Sequence, residues 1–137
     1  MTSATRSLLR RLLVVGVAVV ALGALLSVPT ASATVGRTKD REGSCRAGPG
    51  TWDLQVKARP HHRIRIRFEV DDIGRRQRWQ VFITNKGHRV ASVTRRSGRS
   101  GEIQVTRRAR NRKGRDRVRA AAVNPRTGSI CIARLRF

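Results

Sequence analysis

The sequence predicts an all-β domain, a small antiparallel sandwich or barrel, and three observations predict it. Apolar and polar residues alternate in about seven short stretches. Turn-forming clusters separate them at intervals of about 10–13 residues. No stretch carries a convincing helical period. Each strand then has one apolar face, as a sheet with one solvated side requires.

The first strand alternates Trp52, Leu54, Val56 and Ala58 with Asp53, Gln55 and Lys57. The cleanest period follows, with Ile64, Ile66, Phe68 and Val70 set against Arg63, Arg65, Arg67 and Glu69. Trp79, Val81 and Ile83 make a third strand. Their phase assigns Trp79 to the core rather than to ligand stacking. Trp52 is a core candidate too, although it opens its strand beside Gly48-Pro49-Gly50. Phe82 is out of phase, so it is either an exposed apolar handle or a sign that both faces are partly covered. Residues 90–94 and 103–105 are shorter candidates. Val118, Ala120 and Ala122 suit a strand, though that alanine-rich stretch also suits a helix. In the last strand Cys131, Ala133, Leu135 and Phe137 share a face. Asn85-Lys86-Gly87 and Asn124-Pro125-Arg126-Thr127-Gly128 both end in a glycine suited to the left-handed position of a hairpin turn.

Residues 1–33 predict a cleaved secretory signal peptide. Arg6, Arg10 and Arg11 flank an apolar run, Leu12 to Leu26, broken only by Gly16 and Gly23. Pro29 and the small triplet Ala31-Ser32-Ala33 complete the three-part pattern. An uncleaved membrane anchor is the minor alternative, but a spanning helix takes about 20 apolar residues. Residues 34–44 are polar and aperiodic and predict a flexible linker, which leaves residues 45–137 as one sandwich domain. The expected location is secreted or extracellular, with association to the cell envelope.

The chain has 31 basic and eight acidic residues, a net charge of +23. Three arginines and no acidic residue precede the predicted cleavage site, which leaves +20. Of the 31 basic residues, 27 are arginine. The two cysteines, Cys45 and Cys131, are expected to pair in an oxidising compartment. Closing a loop of 86 residues gives such a crosslink about 4 kcal/mol in the chain-entropy picture.

The segments Trp79-Gln80-Val81, Asn85-Lys86-Gly87, Ser100-Gly101-Glu102-Ile103, Gly114-Arg115-Asp116 and Thr127-Gly128-Ser129-Ile130-Cys131 resemble a known group. They are similar to the small immunoglobulin-like β-sandwiches exported by high-GC Gram-positive bacteria. The resemblance implies fold and export and transfers no site residue. In antibody-type domains the two cysteines flank the tryptophan on inner strands, whereas here the bridge would tie the first strand region to the last.

Charge carries the functional signal. Arg63, Arg65 and Arg67 project from one strand face about 6–7 Å apart, close to the charge spacing of phosphate or uronate polymers. Arg107, Arg108, Arg110, Arg112, Lys113, Arg115 and Arg117 place seven cations in eleven residues, opposed only by Asp116. Arginine's planar fork grips phosphate or carboxylate with two parallel hydrogen bonds. If the two sets share one face, anion binding is favoured; if they diverge, a merely solvating surface is favoured.

Signals for catalysis are poor. His61 and His62 are adjacent, so in regular strand geometry they face opposite ways and cannot ligate one metal together. No acidic pair, Asp71-Asp72 included, has a histidine at ligand spacing, and neither a metal nor another cofactor is expected. No nucleophile elbow or phosphate-cradling glycine loop occurs. The leading expectation is a non-enzymatic domain for anionic polymers or surfaces: wall phosphate polymers, anionic lipid headgroups or extracellular nucleic acid. The alternative is a protein-binding module such as a hydrolase inhibitor. A small secreted ribonuclease, with Glu69 or Glu102 as base and His88 as acid, ranks third.

Overall fold

The computed structural model describes residues 36–137. The predicted signal segment, 1–33, lies outside the described residues, as do the first two residues of the predicted linker. Eight strands follow: β1 (Thr38–Ser44), β2 (Thr51–Arg59), β3 (Arg63–Asp71), β4 (Arg78–Asn85), β5 (His88–Arg96), β6 (Ile103–Arg110), β7 (Arg117–Val123) and β8 (Ile130–Arg136). There is no helix among the described residues. The strands form two antiparallel four-stranded sheets, β1-β2-β3-β6 and β5-β4-β7-β8, here called sheets A and B. Segments 72–77, 97–102 and 111–116 carry the chain between the sheets. The all-β sandwich with one disulfide, Cys45–Cys131, is therefore the architecture.

Alternation builds the core. In β2 and β3 every second residue from Trp52 to Ala58 and from Ile64 to Val70 is buried. Trp79, Val81 and Ile83 answer from β4, with Val118, Ala120 and Ala122 from β7 and Cys131, Ala133 and Leu135 from β8. Trp79 and Phe68 are the largest fully buried side chains. Small alanines on the inner face of sheet B leave depth for such bulk, the large-against-small matching that dense cores use. Pairing on both edges overrides the helical preference of the alanines at 120–122, so residues 117–123 form a strand. Ala120 and Ala122 pair with Ile83 and Val81 on one side and with Ala133 and Cys131 on the other. Phe82 is 40% exposed on the outer face, so it is an exposed handle.

One expectation needs correction. The strands number eight where about seven were expected, and the additional one takes up most of the predicted linker. Residues 38–44 pair along their length with β2, from Thr38 opposite Lys57 to Ser44 opposite Thr51. Six of these seven side chains are exposed, so no apolar period betrays the strand. It is held by its ladder and by polar reach to β8: Lys39 Nζ donates to the Arg136 carbonyl at 3.2 Å, and Arg41 Nη1 to the Arg134 carbonyl at 3.3 Å. Further along, the Arg46 amide donates to the Ile130 carbonyl, and the Ile130 amide to the Ala47 carbonyl. The edge of β8 thus finds hydrogen-bond partners at Ile130, Arg134 and Arg136, which blunts it as a template for unwanted strand pairing. The disulfide fastens this same side.

Among the described residues, 36–137, lie two complete sheets, a continuous apolar core and the disulfide. A chain beginning at residue 34 keeps every one of these interactions and should therefore fold as a unit. Among the described glycines the tightest approach to another backbone atom is at Gly101, which has φ +80° and whose carbonyl accepts from the Ile73 amide. A Cβ there would stand 2.1 Å from the Ile73 carbonyl oxygen. Gly128 also has a left-handed φ, +73°, but faces open space. Urea denaturation should therefore separate two alanine variants. Gly101→Ala loses about 2–4 kcal/mol, because strain and overlap add. Gly128→Ala loses only about 1 kcal/mol, the backbone part alone.

Candidate anion-binding site

Strand register, more than any single loop, assembles the charged surface. On the outer face of sheet A, Arg63 lies between Arg59 of β2 and Arg110 of β6. One row further, Arg65 lies between Lys57 and Arg108. Six cations thus form a grid of three columns and two rows, about 4.8 Å across strands and about 7 Å along them. On the outer face of sheet B, Arg117 stands opposite Arg136, and Arg119 opposite Arg134. These four and Arg41 of β1 line a groove of about 700 Å³. A second groove, of about 520 Å³, is lined by Arg59, Arg63, Arg65 and Arg108 with Pro60 and His61.

Both grids stand at one end of the sandwich, where the β2–β3, β4–β5 and β6–β7 connections meet. The Asn111 amide donates to the His62 carbonyl and the Lys86 amide to the Arg117 carbonyl. Lys86 Nζ donates to the Lys113 carbonyl. Asp116 anchors the connection from inside. It is 1% exposed, and its Oδ1 accepts from Asn85 Nδ2 at 2.8 Å and from the Arg112 amide at 3.4 Å. Its backbone exchanges two hydrogen bonds with Phe137. The one acidic residue of the arginine-rich segment is therefore a buried peg for that segment. It makes no ion pair with a surface cation.

The carboxylates gather at the opposite end. Asp40, Glu42, Asp53, Glu69 and Asp71 lie on the outer face of sheet A, with Asp72 and Glu102 in the adjoining connections. Together they are seven of the eight acidic residues. Burial is the main cause raising the Asp53 and Asp71 carboxyls above the ordinary carboxylate range. Asp40 adds to the effect on Asp53, Glu102 and Asp72 add to that on Asp71, and Arg67 opposes both. Among the described residues the one ion pair is Arg67–Glu69, at the boundary between the two ends. No cation of either grid has a carboxylate at ion-pair distance. Like charges directly opposite across strands repel, so the grids are electrostatically unfavourable until an anion lies over them.

The sequence-predicted cations divide accordingly. Arg63, Arg65, Arg108 and Arg110 share the sheet A grid. Arg112, Lys113 and Arg115 lie in the β6–β7 connection at the same end. Arg117 belongs to the sheet B grid. Arg67 is held by Glu69, and Arg107 stands on the inward-facing side of edge strand β6, opposite Ile66. The two predicted sets thus merge in part and diverge in part. Lys57, Arg59, Arg119, Arg134, Arg136 and Arg41 join them as members that sequence reasoning missed. The signal for three of these was present: Arg117-x-Arg119 and Arg134-x-Arg136 repeat the Arg63-x-Arg65 spacing. His88 opens β5 at the cation end, whereas Glu69 and Glu102 lie at the carboxylate end. The residues imagined for a ribonuclease are not brought together.

Fold and site together define an acid-poor, disulfide-tied β-sandwich whose outer faces are plated with arginine at one end. Comparison with known proteins finds no matching family model, curated protein or solved structure.

The raised carboxyls fix a pH dependence. The protonated forms favour the fold below the ordinary carboxylate range, and that contribution is lost as pH rises through the raised values. Asp71→Asn should therefore be more stable than the parent at pH 7, by about 1–2 °C in Tm. The difference should vanish at pH 3, where both side chains are neutral. Thermal unfolding at the two pH values checks this, and a variant less stable than the parent at pH 7 contradicts it.

Proposed function

We propose that this chain is an exported, non-enzymatic domain that binds anionic polymers or anionic surfaces at the cell envelope through the arginine grids. One observation carries the proposal: within the two grids cation stands opposite cation row after row, across β2–β3, β3–β6 and β7–β8, with no carboxylate to relieve them. A surface meant only for solubility has no need to concentrate its charges in register, since interspersed signs serve that end. Export is supported by the signal-like residues 1–33 and by the disulfide, a bond of oxidising compartments.

The ligand class narrows further. Trp52, Trp79 and Phe68 are buried, and no aromatic residue belongs to either grid. Single-stranded nucleic-acid binders without sequence preference stack bases on exposed aromatic rings, and that platform is missing from both grids. What the grids recognise is repeated backbone charge, so a base-free phosphodiester or uronate polymer should bind as well as a nucleic acid of equal charge.

Retention on a polyphosphate resin across a salt gradient tests the proposal. Arg63→Gln, Arg65→Gln, Arg117→Gln and Arg119→Gln together remove four grid cations. Arg46→Gln, Arg75→Gln, Arg99→Gln and Arg126→Gln together remove four exposed cations near the carboxylate end. The first variant should elute at clearly lower salt, with the slope of log K against log salt shallower by about 0.7–0.9 per lost contact. Equal elution of the two charge-matched variants would falsify specific binding by the grids.

A further inference from the structure

Sheet B carries a second feature that net charge does not explain. Its outer face holds an apolar island: Phe82, Ala121 and Ile132 lie side by side on β4, β7 and β8, and Val123 and Ile130 pair in the next row. Phe82 protrudes, 40% exposed, and the other four are half-buried. Arginines border the island along the strands. Arg119 and Arg134 are the next outward residues toward the cation end, with Arg117 and Arg136 beyond them. Arg78 and Arg96 pair with each other at the far end of β4 and β5. None of the four strands contains an aspartate or glutamate.

We propose that this face docks on an anionic lipid bilayer, with Phe82 and its apolar neighbours entering the headgroup boundary and the arginines holding lipid phosphates on both sides. This names one partner for the anion-binding reading and rests on it. Complementarity selects the partner: it must be apolar beneath a negative surface, and negative on both flanks of the apolar spot. A bilayer with anionic lipids offers that everywhere, without demanding a shaped counterpart. The island spans three strands and two rows, about 10 Å by about 7 Å. A stable protein partner covers about 800 Å² per side, far more than this island offers. A flat face with long arginine stems suits a fluid surface, because the stems lie on apolar ground while their heads reach phosphate.

The chain from residue 34 onward, mixed with phosphatidylcholine vesicles with or without about one-third phosphatidylglycerol, gives the test by co-sedimentation. Binding is expected only with the anionic lipid. Phe82→Ser with Ile132→Thr should weaken it at least about fivefold and leave polyphosphate retention unchanged. Phe82→Trp should be quenched by brominated lipid in the anionic vesicles, while Trp52 and Trp79 stay shielded in the core. Vesicle binding that ignores both apolar substitutions, with the introduced indole unquenched, would overturn the lipid proposal and leave the polyanion reading intact. Emission from Phe82→Trp that shifts with protein concentration alone would assign the island to a second copy and overturn it as well. Loss of both vesicle and polyphosphate binding at about 0.15 M salt would remove the underlying reading itself.

Discussion

The two-residue period of the β-strand is the constraint on which everything else depends. The strand that buries Ile64, Ile66 and Phe68 must present Arg63, Arg65 and Arg67 outward. Core and charge are two faces of one pattern and cannot be altered independently. A register slip of one residue would carry arginines inward and isoleucines outward, so the pairing is strongly specified. The same specification forces cation opposite cation. Each such repulsion is modest at a solvated surface, and the buried apolar rows outweigh it.

Closing the sandwich draws on different means at one edge. β1 has almost no buried side chain, yet it covers the flank of β8. Its Lys39 and Arg41 use their donors on the backbone carbonyls of β8. The Cys45–Cys131 bond fixes the same flank covalently. In a domain of this size, where total stability is typically about 5–15 kcal/mol, such a clasp matters. A strand that buries nothing is still integral, because it satisfies the edge of a neighbour that does.

Seven strands, the core tryptophans, the turn glycines and the cysteine pair were legible in the sequence, since each leaves a local mark. β1 left none: its side chains are polar on both faces, so the Gly48-Pro49-Gly50 turn had no apolar period before it to mark a hairpin. The charge grids were half legible. Spacing within β3 showed that Arg63 and Arg65 share a face, but not that Arg108 and Arg110 stand beside them. That knowledge lives in register, which couples residues some 45 positions apart. The clustering of seven carboxylates at one end was invisible for the same reason. Linear counting saw Asp116 as the counterweight to residues 107–117, whereas the fold hides it beneath them.

The separation of signs has a consequence that is felt before any contact is made. A body with cations crowding one end and carboxylates crowding the other has an electric moment along its length in addition to its net charge. Near a negative boundary, within a Debye length of about 8–10 Å, that moment exerts a torque that turns the crowded cations forward. Rotational search then narrows from all attitudes to a cone, and productive collisions become more frequent without any gain in grip. On the binding proposed above, the carboxylates would bias the first approach toward the cation end without touching a ligand, and a face of sheet B would settle only afterwards.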